Sequence, residues 1–449
     1  MNAGQTAPLL LTYYGDDFTG STDVMDALGR SGIPAVLFLR IPTDDQIARF
    51  PDVRAIGIAG ITRSQSPEWM SEHLPPVFER LKSLSAPICQ YKICSTFDSS
   101  PRIGSIGRAL DLGQHVFHSS WVPVVVGAPI LRRYCVFGNL FATVDGMAYR
   151  LDRHPTMSRH PITPMRESDL CVHLSRQTAK RIGLIDVLAL RSLDIDAHFE
   201  QALTNGAEVL LFDVLDQETL CEVGRLIWTH AQRVPVFAVA SSGLDYALVE
   251  WWRRSGNVAA VESSFAPMRP ERVLVVSGSC SPVTETQIRW AVANGFEGIP
   301  LDAGELAEGA IGPGSRVEGE VVRAAAALQE GRSAIVYSAL GSASPVLLDK
   351  GDTVTGTGAR IAASIGVILK NLLLSSGVRR AVVAGGDTSG LSARELDIFA
   401  VTMIRPLAPG GPLCRTHSDA KDLDGLEIVF KGGQVGTTGF FGLARDGMQ

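Results

Sequence analysis

Two adjacent carboxylates, Asp16 and Asp17, follow the apolar run Leu9–Tyr14 and precede a series of small residues. The apolar run is typical of a buried strand, and the small residues are typical of a turn that opens a helix. Adjacent like charges disfavour each other unless a cation, a metal or hydrogen-bond donors balance them. One carboxylate is therefore a candidate to accept a proton from a substrate hydroxyl, and the other to fix the turn. The alternative is that both only shape the turn and cap the helix.

Two cations stand just after other predicted strands. Arg63 follows the run Val53–Ala59, and Lys92 interrupts an otherwise apolar stretch. If these strands share a parallel sheet, their carboxyl ends meet at one edge, and both cations are expected beside the aspartate pair. Arginine suits bidentate recognition of a carboxylate, and lysine suits a compact anion or a moving phosphoryl group. A plain surface cation is the alternative interpretation of Arg63.

The segment Ser158–Met165 combines a cation, an imidazole and two prolines that stiffen the backbone. A stiff loop of this kind is suited to present Arg159 and His160 to an acid. The alternative for His160 is a purely structural histidine.

Three turns rich in glycine and hydroxyl side chains follow strands in the second half of the chain, at 277–282, 385–390 and 431–437. Small residues let backbone N–H groups approach phosphate oxygens, and helix N-termini favour negative charge. Any one of these segments is explained as an ordinary tight turn, but the three together indicate phosphate binding. The sequence contains neither a P-loop nor a complete dinucleotide-binding fingerprint.

The elements that position these residues alternate between apolar, β-branched runs and amphipathic stretches of helical length. The predicted strands are Leu9–Tyr14, Ala35–Leu39, Val53–Ala59, a run ending near Lys92, Val122–Val126, Gly183–Leu190, Val209–Val214, Val236–Ala240, Arg272–Val276, Ala334–Tyr337, Ala381–Ala384 and Leu426–Phe430. The predicted helices include Pro67–Leu81 with Ser66 as its start signal, Ile195–Leu203, Thr284–Ala293 and Ala359–Leu374. This alternation predicts an α/β fold with largely parallel sheets.

Two features divide the chain. Glu262–Glu271, with two prolines, serines and charge, is typical of a linker, so we predict α/β domains over residues 1–260 and 270–449. Each domain is expected to be a mainly parallel sheet flanked by helices. Tyr149–Thr163, rich in His, Arg and Pro, is too irregular for a regular element.

Composition excludes several classes of protein. The chain has 449 residues, of which 45% are hydrophobic and 20% charged, so it can bury a sizeable core. A net charge of −6 argues against nucleic acid or an anionic membrane surface as the main partner. The seven cysteines are widely spaced, which predicts free thiols in a reducing cytoplasm rather than disulfides or a zinc site. The N-terminus does not resemble a signal peptide, and no apolar run approaches ~20 residues, so no membrane span is expected.

Taken in order, the motifs resemble the four-carbon acid sugar kinase family over nearly the whole chain. The segments that carry the resemblance are Asp16–Asp23, Lys92 with Cys94–Ser99, His160–Met165, Ser277–Ser279 and Gly385–Gly390. The resemblance implies an N-terminal acid-sugar domain, a C-terminal ATP domain and phosphoryl transfer across the cleft between them. Family members phosphorylate small acids such as 3-oxo-tetronates, threonate, erythronate and the branched 3-oxo-isoapionate.

The resemblance also implies roles for individual residues. Asp16, Asp17, Arg63, Lys92 and the loop carrying Arg159 and His160 would face the substrate, and Ser277, Gly385, Gly386, Asp387, Thr388 and Gly433 would hold ATP. In this reading the enzyme is a cytoplasmic kinase that uses ATP and Mg²⁺ to phosphorylate the terminal hydroxyl of a short sugar acid. Asp17 is the candidate general base, and Lys92 stabilises charge on the transferring group. Mg²⁺ is held mainly by ATP phosphates and water, with Asp387 as a candidate contact.

Two other functions are weighed against a kinase. A nicotinamide-dependent oxidoreductase on a similar acid would require the dinucleotide fingerprint that is missing. A non-catalytic, two-lobed binding protein would explain two α/β domains, but it does not need glycine-rich phosphate turns in the second lobe. The particular acid, the oligomeric state and the protein ligands of Mg²⁺ are left open by the sequence.

Overall fold

The computed structural model describes residues 7–144, 146–160, 162–258, 265, 268–312, 314–341 and 354–447, with the backbone alone at 354, 355 and 387. The chain divides into two compact units. The first comprises Met1–Ala35 and Ile41–Glu262, and the second comprises Val36–Arg40 and Ser263–Gln449. Half of the predicted linker, Glu262–Glu271, lies outside the described residues.

A parallel seven-stranded sheet forms the centre of the first unit. Its strands are β1 (Leu11–Gly15), β3 (Ala55–Ala59), β4 (Ile88–Lys92), β5 (Val122–Val125), β9 (Ile182–Ile185), β10 (Val209–Phe212) and β11 (Val236–Ala240). Their order is β3-β1-β4-β11-β5-β10-β9, and every neighbouring pair is parallel. Strands β1, β4 and β11 are buried along their whole length, as expected for strands covered on both faces. The predicted parallel α/β sheet is therefore confirmed.

Helices cover this sheet and bury its apolar faces. They are α1 (Phe18–Gly29), α2 (Asp44–Ala48), α3 (Pro67–Ser83), α4 (Ile106–Phe117), α5 (Leu170–Ser175), α6 (Val187–Leu190), α7 (Ile195–Thr204), α8 (Gln217–Ala231) and α9 (Ser242–Arg254). The predicted start of α3 is confirmed, because the Ser66 side chain accepts a hydrogen bond from the Trp69 amide and Pro67 occupies the first helical position.

Two parts of the first unit differ from the sequence prediction. The run Gly183–Leu190 is not one strand, because the Asp186 side chain accepts hydrogen bonds from the Leu188 and Ala189 amides and starts helix α6. A small antiparallel sheet, missed by the sequence analysis, is formed by β6 (Arg133–Val136), β7 (Asn139–Val144) and β8 (Met147–Arg150). The segment Tyr149–Thr163, predicted to be irregular, starts inside β8, since Tyr149 and Arg150 belong to that strand. After β8 come two short 3₁₀ turns, Leu151–Arg153 and Met157–Arg159.

The second unit has a mixed sheet. Its strands are β2 (Ala35–Phe38), β12 (Leu274–Ser277), β13 (Glu297–Pro300), β14 (Ala334–Tyr337), β15 (Arg380–Ala384), β16 (Ala400–Ala408), β17 (Gly411–His417) and β18 (Glu427–Lys431). Their order is β13-β14-β12-β15-β18-β17-β16-β2. The strands from β13 to β18 in this order are parallel, and the pairs β18-β17, β17-β16 and β16-β2 are antiparallel. Strand β2 comes from the N-terminal part of the chain and pairs with the start of β16, with Val401 opposite Leu37.

The helices of the second unit are α10 (Pro282–Ala293), α11 (Ala303–Glu308), α12 (Arg316–Gln329), α13 (Val354–Ser376), α14 (Gly386–Glu395) and α15 (Phe440–Asp446). A cluster including Val275, Ile335 and Val429 fills the core. Helix α13 contains Gly356–Ser376, a window long and apolar enough to cross a membrane by length and composition alone. Half of that window is buried, and α13 packs on α11, α12 and α14, which are properties of a core helix.

Candidate active site

The carboxylate pair lies at the carboxyl end of β1, where the chain turns into α1. Asp17 is the N-cap of that helix: its Oδ1 accepts the Gly20 amide at 2.7 Å, and its Oδ2 accepts the Thr19 hydroxyl at 2.8 Å. Asp16 is held from both sides by its backbone, because its amide donates to the Lys92 carbonyl at 2.8 Å and its carbonyl accepts the Arg63 amide at 2.9 Å. Asp17 therefore caps the helix, and the backbone of Asp16 fixes the turn, which are the structural roles that the sequence allowed.

Arg63 forms a bidentate hydrogen-bonded pair with each of the two carboxylates. Its Nε and Nη2 donate to the two oxygens of Asp16 at 3.1 and 2.6 Å. Its Nη1 and Nη2 donate to the two oxygens of Asp17, both at 2.8 Å. Bidentate guanidinium–carboxylate pairs of this kind fix geometry as well as charge. Arg63 is thus not a plain surface cation.

These bonds fill every acceptor position of Asp17 and most donor positions of Arg63. Each oxygen of Asp17 accepts two hydrogen bonds, which is the full capacity of a carboxylate. Four of the five N–H groups of Arg63 are directed at the aspartates. A substrate hydroxyl that donates a hydrogen bond to Asp17 must therefore displace one of these four bonds.

Lys92 stands directly beside the pair. It ends β4, in register with Gly15 of β1, and its side chain is only 3% exposed. Its Nζ donates to the Ile93 carbonyl at 3.0 Å and lies 3.6 Å from Asp23 Oδ2 on α1. The structure brings together Asp16, Asp17, Arg63 and Lys92, as the strand-end argument expects.

Burial and charge act differently on the two aspartates. Burial raises the pKa of Asp16 against the opposing effect of Arg63, and the neighbouring charge of Asp17 raises it further. Burial alone would also raise the pKa of Asp17, but Arg63 and Lys92, with the bonds from Thr19 and Gly20, hold that pKa below its ordinary value. Asp17 is therefore the more firmly ionised of the two.

A third acid lies beneath the site. Asp245, near the start of α9, is fully buried and accepts a hydrogen bond from Gln90 Nε2 at 3.3 Å. Burial raises the pKa of Asp245 to about 8, against the lowering effects of Lys92 and Gln90. The sequence analysis missed Asp245, because nothing local distinguishes an acid in the first turn of a helix from a surface residue.

The loop carrying Arg159 and His160 is closed on itself. The Nδ1 of His160 accepts the Thr163 amide at 3.0 Å, and the Thr163 hydroxyl lies at the same distance. Arg159 is exposed, and within the described residues its side chain has no bonded partner. No described contact joins this loop to the aspartate pair, so its proposed role in substrate binding stays a prediction.

The second unit gathers the three glycine-rich turns at one end of its sheet. Ser277 ends β12 in register with Ala384 of β15, so the two turns that follow are neighbours. The Gly385 amide donates to the Lys431 carbonyl at 2.9 Å, which adds the turn after β18. Gly385 has φ +122°, a conformation that side-chain-bearing residues rarely adopt. The side chain of Asp387 lies outside the described part of the structure.

Two of these turns approach each other closely at Gly433. A Cβ added at Gly433 would meet Ser279 Oγ at 2.6 Å and Ser281 Cβ at 3.0 Å, so the turns after β12 and β18 approach closely only because residue 433 is glycine. Helix α14 starts at Gly386 without a side-chain cap, which leaves its first N–H groups facing this end of the sheet. Helix N–H groups without a side-chain cap, among small residues, are typical of sites that bind anionic phosphates.

A buried lysine supports the third turn. Lys431, at the end of β18, has no accessible surface; its Nζ lies 3.5 Å from Thr284 Oγ1, and that hydroxyl donates to the Gly433 carbonyl at 2.8 Å. Its Nζ also stands 5.8 Å from the ring centres of Phe440 and Phe441. Burial lowers the pKa of Lys431 to about 8. A lysine after an apolar strand was the only signal available to the sequence analysis.

Both halves of the chain match models of known domains. Residues 11–248 match the family described as a sugar-binding N-terminal domain, and residues 274–441 match the family described as a nucleotide-binding C-terminal domain.

Two relatives show the range of similarity. The chain is 48% identical to 3-oxo-isoapionate kinase of Paraburkholderia graminis, over 98% of this chain and 95% of that protein. It is 28% identical to 3-oxo-tetronate kinase of Methylobacterium radiotolerans, over 98% of this chain and 99% of that protein.

Solved structures share the fold. A Salmonella typhimurium protein superposes with a TM-score of 0.78 at 23% identity, covering 99% of this chain and 100% of that one. A Haemophilus influenzae protein superposes with a TM-score of 0.73 at 22% identity, covering 97% and 99%. At these identities the likeness concerns the fold alone.

Proposed function

Since the chain belongs to the four-carbon acid sugar kinase family, and is therefore an ATP-dependent kinase of a sugar acid, we propose that it phosphorylates 3-oxo-isoapionate at its terminal hydroxyl. The observation that carries this choice of acceptor is the 48% identity with a 3-oxo-isoapionate kinase, against 28% with a 3-oxo-tetronate kinase. Family membership sets aside the oxidoreductase and the non-catalytic binding protein.

In this proposal the aspartate cluster receives the acceptor. Asp17, ionised and about one-quarter exposed, takes the proton of the attacking hydroxyl once one of its four hydrogen bonds has been released. Asp16 holds Arg63 in place, and Lys92 supplies positive charge where the phosphoryl group is transferred. Arg159 and His160 remain proposed contacts of the substrate.

The nucleotide is proposed to lie on the glycine-rich turns, held by Ser277, Gly385, Gly386, Thr388 and Gly433. ATP supplies the phosphoryl group, and Mg²⁺ neutralises charge on its phosphates. Because Mg²⁺ keeps several waters and needs few protein ligands, we propose that phosphates and water hold most of its coordination sphere, with Asp387 as a candidate contact.

We also propose that the enzyme works in the cytoplasm, where ATP is available. All seven cysteines are free thiols, and four of them are buried. Free thiols are typical of proteins from reducing compartments.

A substrate screen tests the choice of acceptor. The purified protein is mixed with ATP, Mg²⁺ and 3-oxo-isoapionate, 3-oxo-tetronate, threonate or erythronate, and ADP release is followed with a coupled assay. We expect kcat/KM for 3-oxo-isoapionate to exceed that for the unbranched acids by about tenfold or more, since one additional contacting group changes discrimination by roughly 10- to 200-fold. Equal or higher kcat/KM for an unbranched acid would contradict the proposal.

The role of Asp17 is tested by Asp17→Asn. Loss of a general base lowers rates by roughly 10²- to 10⁴-fold, so kcat should fall by that order while the Kd for ATP, measured by calorimetry, changes little. The matched control is Asp16→Asn, which also breaks one fork of Arg63 but alters a carboxylate that is only 3% exposed. If the two variants lose the same activity, Asp17 serves to hold Arg63 and is not the base.

A further inference from the structure

We propose that Arg133 binds the carboxylate of the sugar acid and so determines that the enzyme accepts acids rather than neutral sugars. This inference rests on the proposed function and adds to it the residue that recognises the substrate charge. Arg133 is not among the residues predicted from the sequence.

Arg63 has little capacity left for this task. With four of its five N–H groups bonded to Asp16 and Asp17, it cannot offer a free fork to a third carboxylate. A bidentate grip on the substrate by Arg63 would require the loss of an existing bidentate pair. A second guanidinium with a free fork meets the need without that exchange.

Arg133 is held in position by its backbone and by one of its terminal nitrogens. It follows β5 after a single 3₁₀ turn and forms a β-bridge with Ala128, with N···O distances of 2.9 and 3.2 Å. Its Nη1 donates to the carbonyls of Leu131 and Arg132 at 3.0 and 3.2 Å. These bonds fix the plane of the guanidinium before any ligand arrives.

The other edge of this guanidinium is unused. Nε of Arg133 is buried and has no hydrogen-bond partner among the residues that the structure describes, and all described side-chain hydrogen bonds of Arg133 come from Nη1. In the described part of the chain no carboxylate lies within 4.0 Å of it. The Nε–H and the adjacent Nη2–H form the fork that matches a carboxylate, and a buried donor without a partner is costly unless a ligand satisfies it.

The surroundings of Arg133 connect it to the aspartate cluster. Burial lowers the pKa of Arg133, and the opposing interactions with Cys94 and Asp98 do not compensate. Cys94 in turn interacts with the charge of Arg63. The loop after β4 therefore lies within electrostatic range of both arginines.

Asp98 complements the free fork. Its Oδ1 is buried and has no hydrogen-bond partner within the described residues. A hydroxy acid carries a carboxylate for Arg133 and a hydroxyl that can donate to Asp98, so one ligand satisfies both buried atoms. A neutral sugar would satisfy Asp98 alone.

The test compares two acceptors that differ only in charge: the sugar acid that the wild type phosphorylates best, and its primary amide. For Arg133→Met we expect kcat/KM with the acid to fall by on the order of 10²-fold, because a charge-assisted hydrogen-bonded pair is lost. With the amide, wild type and variant should have similar kcat/KM, and Arg133→Lys should recover part of the activity with the acid. The matched control is Arg132→Met, which removes the neighbouring, exposed guanidinium.

Each result has a defined meaning. Wild type that uses the amide as well as the acid, or an Arg133→Met variant that loses equal activity on both, overturns the inference. If Arg132→Met and Arg133→Met lose equal kcat/KM with the acid, the inference is also overturned, since the effect would then come from the positive charge of the loop and not from one bound guanidinium. Melting temperature and the Kd for ATP show whether the variants are folded. Wild type inactive on every acid contradicts the proposed function instead.

Discussion

Asp17 caps a helix and binds an arginine with the same two oxygens. The helix is α1, capped through Gly20, and the arginine is Arg63. A dipeptide of aspartates after an apolar run is enough to predict the position of the pair. It does not reveal that every acceptor position of Asp17 is filled, because the partner Arg63 lies 46 residues away in the chain.

Asp245 provides a prediction on pH. Its pKa is about 8 in the folded chain, well above the ordinary value of 3.8, so the folded state favours the neutral acid. Its contribution to stability is present below about pH 4 and is lost as the pH rises to 8. Asp245→Asn keeps the neutral shape at every pH, so the free energy of unfolding of the variant relative to wild type should increase between pH 4 and 8.

Between pH 4 and 8, the free energy of unfolding of Asp245→Asn relative to wild type should increase by about 3–5 kcal/mol, since one pKa unit is worth about 1.4 kcal/mol. Denaturant unfolding at pH 4.5 to 8.5 measures it. The matched control is Asp45→Asn on the exposed side of α2, which should leave the pH dependence of wild type unchanged. A constant difference between Asp245→Asn and wild type across this range contradicts the prediction.

At the scale of elements, the buried parallel strands were the easiest to predict. Val236–Ala240 and Ala334–Tyr337 have the predicted bounds, since strands buried on both faces are continuous apolar runs. Strands β6 to β8 and β16 to β17 were missed because they are partly exposed and carry polar residues, which gives them no continuous apolar run. Arg133, the acid-binding residue proposed above, lies on one of these missed strands.

The turns of the second unit give a prediction on nucleotide affinity. In Gly433→Ala the added methyl would stand 2.6 Å from Ser279 Oγ and push apart the turns after β12 and β18. Overpacking of this kind costs about 1–3 kcal/mol, so KM for ATP should rise roughly tenfold or more while KM for the sugar acid changes little.

Steady-state kinetics with each substrate varied in turn measures the effect. Gly312→Ala is the matched control, because a methyl there meets no atom of the described residues within 4 Å and φ is not positive. If Gly433→Ala leaves KM for ATP unchanged, the turn after β18 is not part of the nucleotide site.

At the scale of the whole molecule, two α/β units were predictable from the alternating pattern and the proline-rich linker. The sequence does not predict which segments make up the second unit, because that unit includes Val36–Arg40 from the N-terminal part of the chain. Val36–Phe38 is a good strand by itself, but no local signal tells which sheet it joins. The sequence of its partner, Ala400–Thr402, likewise contains no signal that it pairs with a segment so distant in the chain.

This pairing predicts that residues 263–449 do not form a complete sheet alone. Without β2, the start of β16 presents an unpaired edge, which promotes aggregation. Appending residues 33–41 through a flexible linker should raise the melting temperature and keep the fragment monomeric in light scattering. The matched control appends the same segment with Leu37→Lys, which places a charge at a fully buried position. Identical behaviour of all three fragments would show that β2 is dispensable.

Strand β2 also imposes an order on biosynthesis. Phe38 leaves the ribosome about 360 residues before its partner Ala400. At roughly 5–20 residues per second, the segment waits about 20 to 70 seconds for the strand it joins. During that interval a short, wholly apolar stretch has no native neighbour on that side, so the sheet of the second unit is completed only after the residues of β16 have been synthesised.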